Sequence, residues 1–187
     1  MPQNEKKDFM KNVVILVDTR EQKNDHIIKV FDSLGVQHMQ HKLDYGDYSF
    51  VVNENDFQMS CVVERKAHID EVYGNITSDR ERIEKELATI SKNATQCVLL
   101  LENCTGWDFM KEFTIPHEQM EQQGRKVQNI GATVYSTLQA WQCGNRYDFR
   151  VEFVSDIRKS AIKMLEIFYW YWHNYKQAIA ARNQMKG

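Results

Sequence analysis

The chain has 187 residues, 42% of them apolar and 27% charged, with 24 basic and 26 acidic residues for a net charge of 24 − 26 = −2. At this length roughly 70% of the unfolded surface can be buried, so one domain with its own core is expected and a mainly disordered chain is excluded. The slightly acidic balance argues against binding nucleic acid through bulk charge. Only 2 prolines and 8 glycines exclude low-complexity architectures, and no apolar run approaches the roughly 18 residues of a membrane span.

Residues 1–11 are polar and charged, with no apolar core of a signal peptide, so they read as a flexible N-terminal arm on a cytoplasmic protein. The cysteines at 61, 97, 104 and 143 include no C-x-x-C pair, which argues against a zinc ribbon. They read as reduced thiols, with Cys61 and Cys97 as small buried side chains inside apolar runs. Residues 12–187 read as one domain. Val13 to Val17 is a buried strand by its β-branching, and Asn24 to Leu34 a short helix closed by Gly35. Val36 to Leu43 is a second strand. After the turn Asp44-Tyr45-Gly46-Asp47, strands over Tyr48–Asn53 and Phe57–Lys66 form a hairpin. Ser78-Asp79-Arg80-Glu81 has the form of a capping box for a helix reaching about Ser91. A buried strand follows at Thr95–Glu102, a short helix at Asp108–Phe113, and a polar, mobile loop at Pro116–Gln128. A helix at Ile130–Cys143, a strand at Tyr147–Val154 and a long terminal helix from Ser155 to about Arg182 complete the order. Ala161, Leu165, Phe168, Trp172, Tyr175 and Ile179 fall on one face of that last helix. This order predicts an α/β protein with a central mixed β-sheet flanked by helices and a long C-terminal helix.

Acids concentrate at three strand ends: Asp18-Thr19-Arg20-Glu21, Gly46-Asp47, and Glu64-Arg65-Lys66 with Asp70 beyond. Side chains alternate along a strand, so Glu64 and Lys66 share a face and Arg65 takes the other. In a hairpin, the start of one strand lies beside the end of the next, so Asp47 and Glu64 are expected to converge. Carboxylates that close repel unless a cation sits among them, and hard oxygen donors suit Mg²⁺ or Mn²⁺. A lysine beside such a pair suits metal-assisted attack on a phosphodiester. Each string alone is ordinary surface sequence, and Asp47 after Gly46 serves equally as a turn residue. Their conjunction in order on the expected elements carries the inference. No P-loop, G-x-S-x-G or G-x-G-x-x-G string occurs, which excludes the usual nucleotide cradles and serine hydrolases.

Gly46-Asp47 followed by Glu64-Arg65-Lys66-Ala67-His68-Ile69-Asp70 resembles the G-D…E-R-K-x-x-x-D signature of the XPF-type structure-specific endonucleases, within the PD-(D/E)xK nuclease superfamily. Val17-Asp18-Thr19-Arg20-Glu21 resembles that family's V-D-x-R-E motif. Arg82 with Glu86 resembles its R-x-x-x-Q helix, with Glu86 in place of glutamine, and Val98-Leu99-Leu100-Leu101-Glu102 resembles the strand that follows. The resemblance implies a restriction-endonuclease-like fold and hydrolysis of DNA by a Mg²⁺- or Mn²⁺-dependent endonuclease acting on branched DNA or single-strand/duplex junctions. It implies Asp47 and Glu64 as metal ligands with Asp18 as a further acid, and Lys66 to position the attacking water. Glu21, Arg65 and Asp70 would complete or brace the site, and Arg82, with Arg80 as rival for the same place, would contact phosphate or the acidic cluster. It also implies a homodimer through the nuclease domain. No helix-hairpin-helix pattern follows the last helix, so the chain reads as a stand-alone nuclease domain. The rival readings are a non-catalytic DNA-binding or scaffold subunit and an end-dependent exonuclease. His68, between Lys66 and Asp70, is a second candidate for proton transfer beside its plainer reading as a surface residue. The terminal helix region carries Arg158, Lys159, Lys163, Lys176, Arg182 and Lys186 against Asp156 and Glu166, either a solvated basic face or a track for phosphates.

Overall fold

The β-branched run is strand β1 (Val13–Val17), and it anchors one of two compact units in this computed structural model, which describes residues 3–143 and 146–185. The first unit comprises Met1–Val63 and Arg158–Gly187, the second Glu64–Ile157. Lys186, counted among the basic residues of the terminal segment, lies outside the described residues.

In the first unit β1 pairs in parallel with β2 (Gln37–Gln40), and helix α2 (Asp25–Ser33) connects the two. On its other side β1 pairs antiparallel with β3 (Tyr48–Val52), which pairs antiparallel with β5 (Cys61–Lys66) through Tyr48 and Val63. The expected hairpin is interrupted. Asn53 turns the chain at φ 55, and a two-residue strand β4 (Asn55–Asp56) returns along β3. The Asp56 carboxylate then accepts the Gln58 amide, and the chain makes a second turn before β5. Phe57, inside that detour, stacks on Phe50 at 4.7 Å, so burial of one aromatic ring shortens the second strand to Cys61–Lys66. The long C-terminal helix α8 (Ser160–Gln184) lays Phe168 on the same Phe50 ring, also at 4.7 Å.

The N-terminal stretch is not a flexible arm. Gln3–Asn12 forms helix α1, and Phe9 is fully buried against Phe50, Tyr169 and Trp172. Its Glu5 accepts hydrogen bonds from Lys176 at 3.0 Å and Tyr169 at 3.4 Å and pairs with His173 at 2.9 Å. Packing and these long-range contacts, rather than intrinsic propensity, hold a ten-residue helix that would be marginal alone.

In the second unit β6 (Gln96–Glu102) and β7 (Arg150–Val154) pair in parallel from Val98–Arg150 to Glu102–Val154. Helix α6 (His117–Gln122) stands where a loop was expected, and helix α3 (Ile69–Thr77) in a stretch to which no element was assigned. Helix α4 (Arg80–Asn93) begins after Asp79 without a side-chain cap, so the expected capping box is not made. Helix α7 (Ile130–Cys143) packs on α3 and on α5 (Trp107–Glu112). The α5 contact needs Gly131: a Cβ there would stand 1.9 Å from the Met110 carbonyl oxygen. Buried Ile83, Leu87 and Ile90 form the apolar stripe of α4. The class is therefore the expected one, mixed α/β with strands flanked by helices and a long C-terminal helix. All four cysteines are free, three of them buried. Among the described residues no helix is long and apolar enough to cross a membrane.

Candidate active site

The first unit gathers Asp18, Glu21 and Asp47 through the backbone. The Asp18 amide donates to the Asp47 carbonyl at 2.8 Å, the Glu21 amide to the Asp18 carbonyl at 3.0 Å, and the Asp47 amide to the Val63 carbonyl at 2.9 Å. Val63 is the residue before Glu64 in the chain. Gly46 is required here. Its φ is +75, and a Cβ would meet the Val62 Cβ at 3.0 Å, so glycine lets β3 begin hard against β5. The Tyr48 hydroxyl donates to Glu21 at 3.3 Å.

Asp18 is 1% exposed, and both of its oxygens accept hydrogen bonds. Arg20 donates to Oδ1 from its amide at 2.8 Å and from Nε at 2.6 Å, and to Oδ2 from Nη2 at 3.0 Å. The Leu43 amide donates to Oδ2 at 2.8 Å. Burial alone would raise this carboxyl's pKa, but the Arg20 guanidinium and the two amides outweigh it and hold it below the usual value.

The second unit holds Glu64, Arg65, Lys66, Asp70 and Arg82. Glu64 and Lys66 sit on one face of β5, 6% and 8% exposed, and the Lys66 ammonium donates to Glu64 at 2.7 Å. A small cavity of about 20 Å³, room for one water, lies against them and is walled by Val72, Ile83, Leu87 and Leu99. Lys66 also lies 3.6 Å from Glu71, whose other oxygen accepts the Ala67 amide at 2.9 Å. Arg65, on the opposite face, makes a buried ion pair with Glu102 of β6 at 2.8 Å. Asp70 pairs with Arg125, whose guanidinium stacks over Tyr73 at 4.8 Å. Arg82 is mainly exposed and reaches Glu86 at 3.3 Å, while Arg80 bonds Glu84 at 2.9 Å and covers Trp141 at 5.5 Å. Arg82 is thus engaged on its own helix, and Arg80 on its own helix and on Trp141 of α7. Exposed His68 precedes α3, with its Nδ1 3.2 Å from the Asn103 amide nitrogen.

Among the described residues no three His, Cys, Asp or Glu side chains are grouped so as to hold a metal ion. Mg²⁺ and Mn²⁺ are commonly held by only one or two carboxylates, with waters and substrate phosphate completing the shell. Glu71 and Arg125 are site neighbours that the motif reading passed over. Ile69, Val72 and Ile76 recur at helical spacing, a signal that would have revealed α3 and put Glu71 in its first turn, beside Lys66. Arg125 left no comparable signal, since its partner Asp70 lies 55 positions away.

The fold resembles that of XPF from Aeropyrum pernix, with a TM-score of 0.59 at 17% identity, covering 89% of this chain and 69% of that one. XPF from Aeropyrum pernix in complex with DNA matches at a TM-score of 0.59 and 18% identity, covering 86% of this chain and 65% of that one. No curated protein matches by sequence. The ERCC4 domain matches residues 17–167, from the last residue of β1 into α8, a span that takes in every residue of the candidate site. The chain belongs to the ERCC4 domain family.

Proposed function

We propose that this protein is a divalent-metal-dependent DNA endonuclease that hydrolyses phosphodiester bonds at branches or single-strand/duplex junctions. The observation that carries the reading is the buried Glu64–Lys66 pair on β5, on the motif residues of an ERCC4 domain. Burying a carboxylate and an ammonium together is costly, and replacing such a pair by apolar residues is often neutral or stabilising. A role in chemistry accounts for keeping it.

In this reading Asp47 and Glu64 would hold Mg²⁺ or Mn²⁺. Asp18 is the further acid, and ligation by it would require release of the Arg20 fork. When bound there, the ion would supply Lewis-acid stabilisation of the charge that grows on the phosphoryl oxygens. Lys66 donates a hydrogen bond to the attacking water and fixes its line to phosphorus. Water oxygen then bonds to phosphorus as one ester P–O bond breaks, and the proton that the water loses ends, through solvent, on the departing ester oxygen, giving a phosphomonoester and a free hydroxyl. Arg65 acts indirectly, tying β5 to β6 through Glu102, and Asp70 acts through Arg125. Arg82 would turn to a phosphate only by leaving Glu86.

The test is a panel of single-stranded, duplex, flap and fork DNAs with Mn²⁺. Asp47→Asn and Glu64→Gln are expected to abolish cleavage with the fold retained by circular dichroism, and Lys66→Ala to slow it by about 100-fold or more. Full activity in both carboxylate variants overturns the site. DNA binding without cleavage by the parent would support the scaffold reading instead. The exposed Tyr175 and Ile179, one turn apart on α8, are the surface a second copy would cover in a homodimer, and sedimentation of the parent against Ile179→Glu tests it.

A further inference from the structure

A local excess of positive charge outside the candidate site lies in the first unit. An open groove of about 660 Å³ is lined by Lys23, Asp25, His26, Lys29, Val30 and Arg158. Three permanent cations face one carboxylate there, 3 − 1 = +2, in a chain whose net charge is −2. Lys23, Lys29 and Arg158 are all exposed. An open trough suits a chain of phosphates more than a small ligand, which is commonly enclosed over most of its surface. Two other cations of the terminal segment are already engaged: Lys176 is tied to Glu5 and stacked on Trp172, and Lys163 is paired with Glu166.

Position adds to charge. Lys23 lies two residues past Glu21, on the short loop that begins at Asp18 and ends at α2. That loop is pinned at its start by the Arg20 fork and by the bond from the Glu21 amide to the Asp18 carbonyl. Asp18 opens the seven-residue stretch 18–24, Glu21 is its middle residue, and Lys23 of the groove is its sixth.

We infer that this groove binds the sugar-phosphate backbone of DNA flanking the cleavage site, with Lys23 and Lys29 as its phosphate contacts. The inference rests on the reading of the chain as a protein that acts on DNA, and it is tested without catalysis. Binding of a fluorescein-labelled duplex and of labelled oligothymidylate is followed by anisotropy over a salt series, with no divalent cation. Reversal of both lysines, Lys23→Glu with Lys29→Glu, is expected to weaken duplex binding by about 10-fold or more and to reduce the slope of log affinity against log salt by about 2, near one unit for each phosphate left without its lysine. Lys6→Glu with Lys7→Glu, on the exposed side of α1, changes the net charge equally and serves as the control, with a change of about 2-fold or less expected. Lys23→Arg with Lys29→Arg is expected to bind as the parent does, which separates loss of charge from loss of fold. The inference is overturned if the groove reversal binds like the parent, or if groove and control reversals weaken binding equally. Cleavage keeps the two readings apart. A parent that binds through the groove but cuts no DNA with Mn²⁺ leaves the groove standing and removes the nuclease. A groove reversal that binds and cuts like the parent does the opposite.

Discussion

Asp18 shows how a motif acid can be committed to structure. Its two oxygens take four donors, three from Arg20 and one from Leu43, and its folded pKa is lowered below the usual value. The sign follows directly. A carboxyl whose folded pKa lies under its unfolded value, about 3.9, contributes stability above that value and loses it as pH falls through the folded one. Asp18→Asn is therefore expected to destabilise the protein at about pH 6 by about 1–3 kcal/mol, with the gap to the parent closing below about pH 4. Urea titrations across that range measure it, and a gap independent of pH would contradict the assigned contacts. Lys66 is placed otherwise, with Glu64 at 2.7 Å and Glu71 at 3.6 Å. The ammonium is held between a buried acid and a more exposed one, which restricts the directions in which it can donate.

At the scale of the element, α1 shows what local sequence does not contain. Its ten residues carry five charges and one aromatic ring, a pattern that reads as a solvated arm. The ring of Phe9 is nevertheless fully buried among Phe50, Tyr169 and Trp172. Phe9→Ala is expected to cost about 3–5 kcal/mol, as for other large core truncations, read as a shift in the chemical denaturation midpoint. An arm free of the core would give almost none. Helix α3 was hidden for a related reason. Gly74 and Asn75 interrupt it with poor helix formers, and its stability comes from packing Ile69, Val72 and Ile76 in the second unit, partly on α7. By contrast β1, β6, α7 and α8 were legible because their apolar runs or stripes are long and their burial follows them. Even on α8 the stripe is buried only as far as Trp172, with Tyr175 and Ile179 exposed.

At the scale of the whole molecule, a net charge of −2 requires that any DNA be held by local patches, so binding should weaken steeply with salt. Endonuclease and exonuclease readings part on topology. With Mn²⁺ the protein is expected to open a covalently closed circle that carries a single-stranded bubble, and EDTA to stop it. Gel electrophoresis of the products decides, since an enzyme that needs an end leaves a closed circle untouched.

Sequence by itself determined the α/β class, the order of the main strands and the motif acids at strand ends, because strand periodicity and short-range spacing are local properties. Gly46 belongs there too, although the reason for it, the approach to Val62, appears only in three dimensions. Tertiary structure alone decided which charge meets which: Asp70 with Arg125, Arg65 with Glu102, and Glu5 with Lys176 across the full length of the chain. An ion pair needs only two groups within a few ångströms, whatever the number of residues between them, so sequence distance carries almost no information about it.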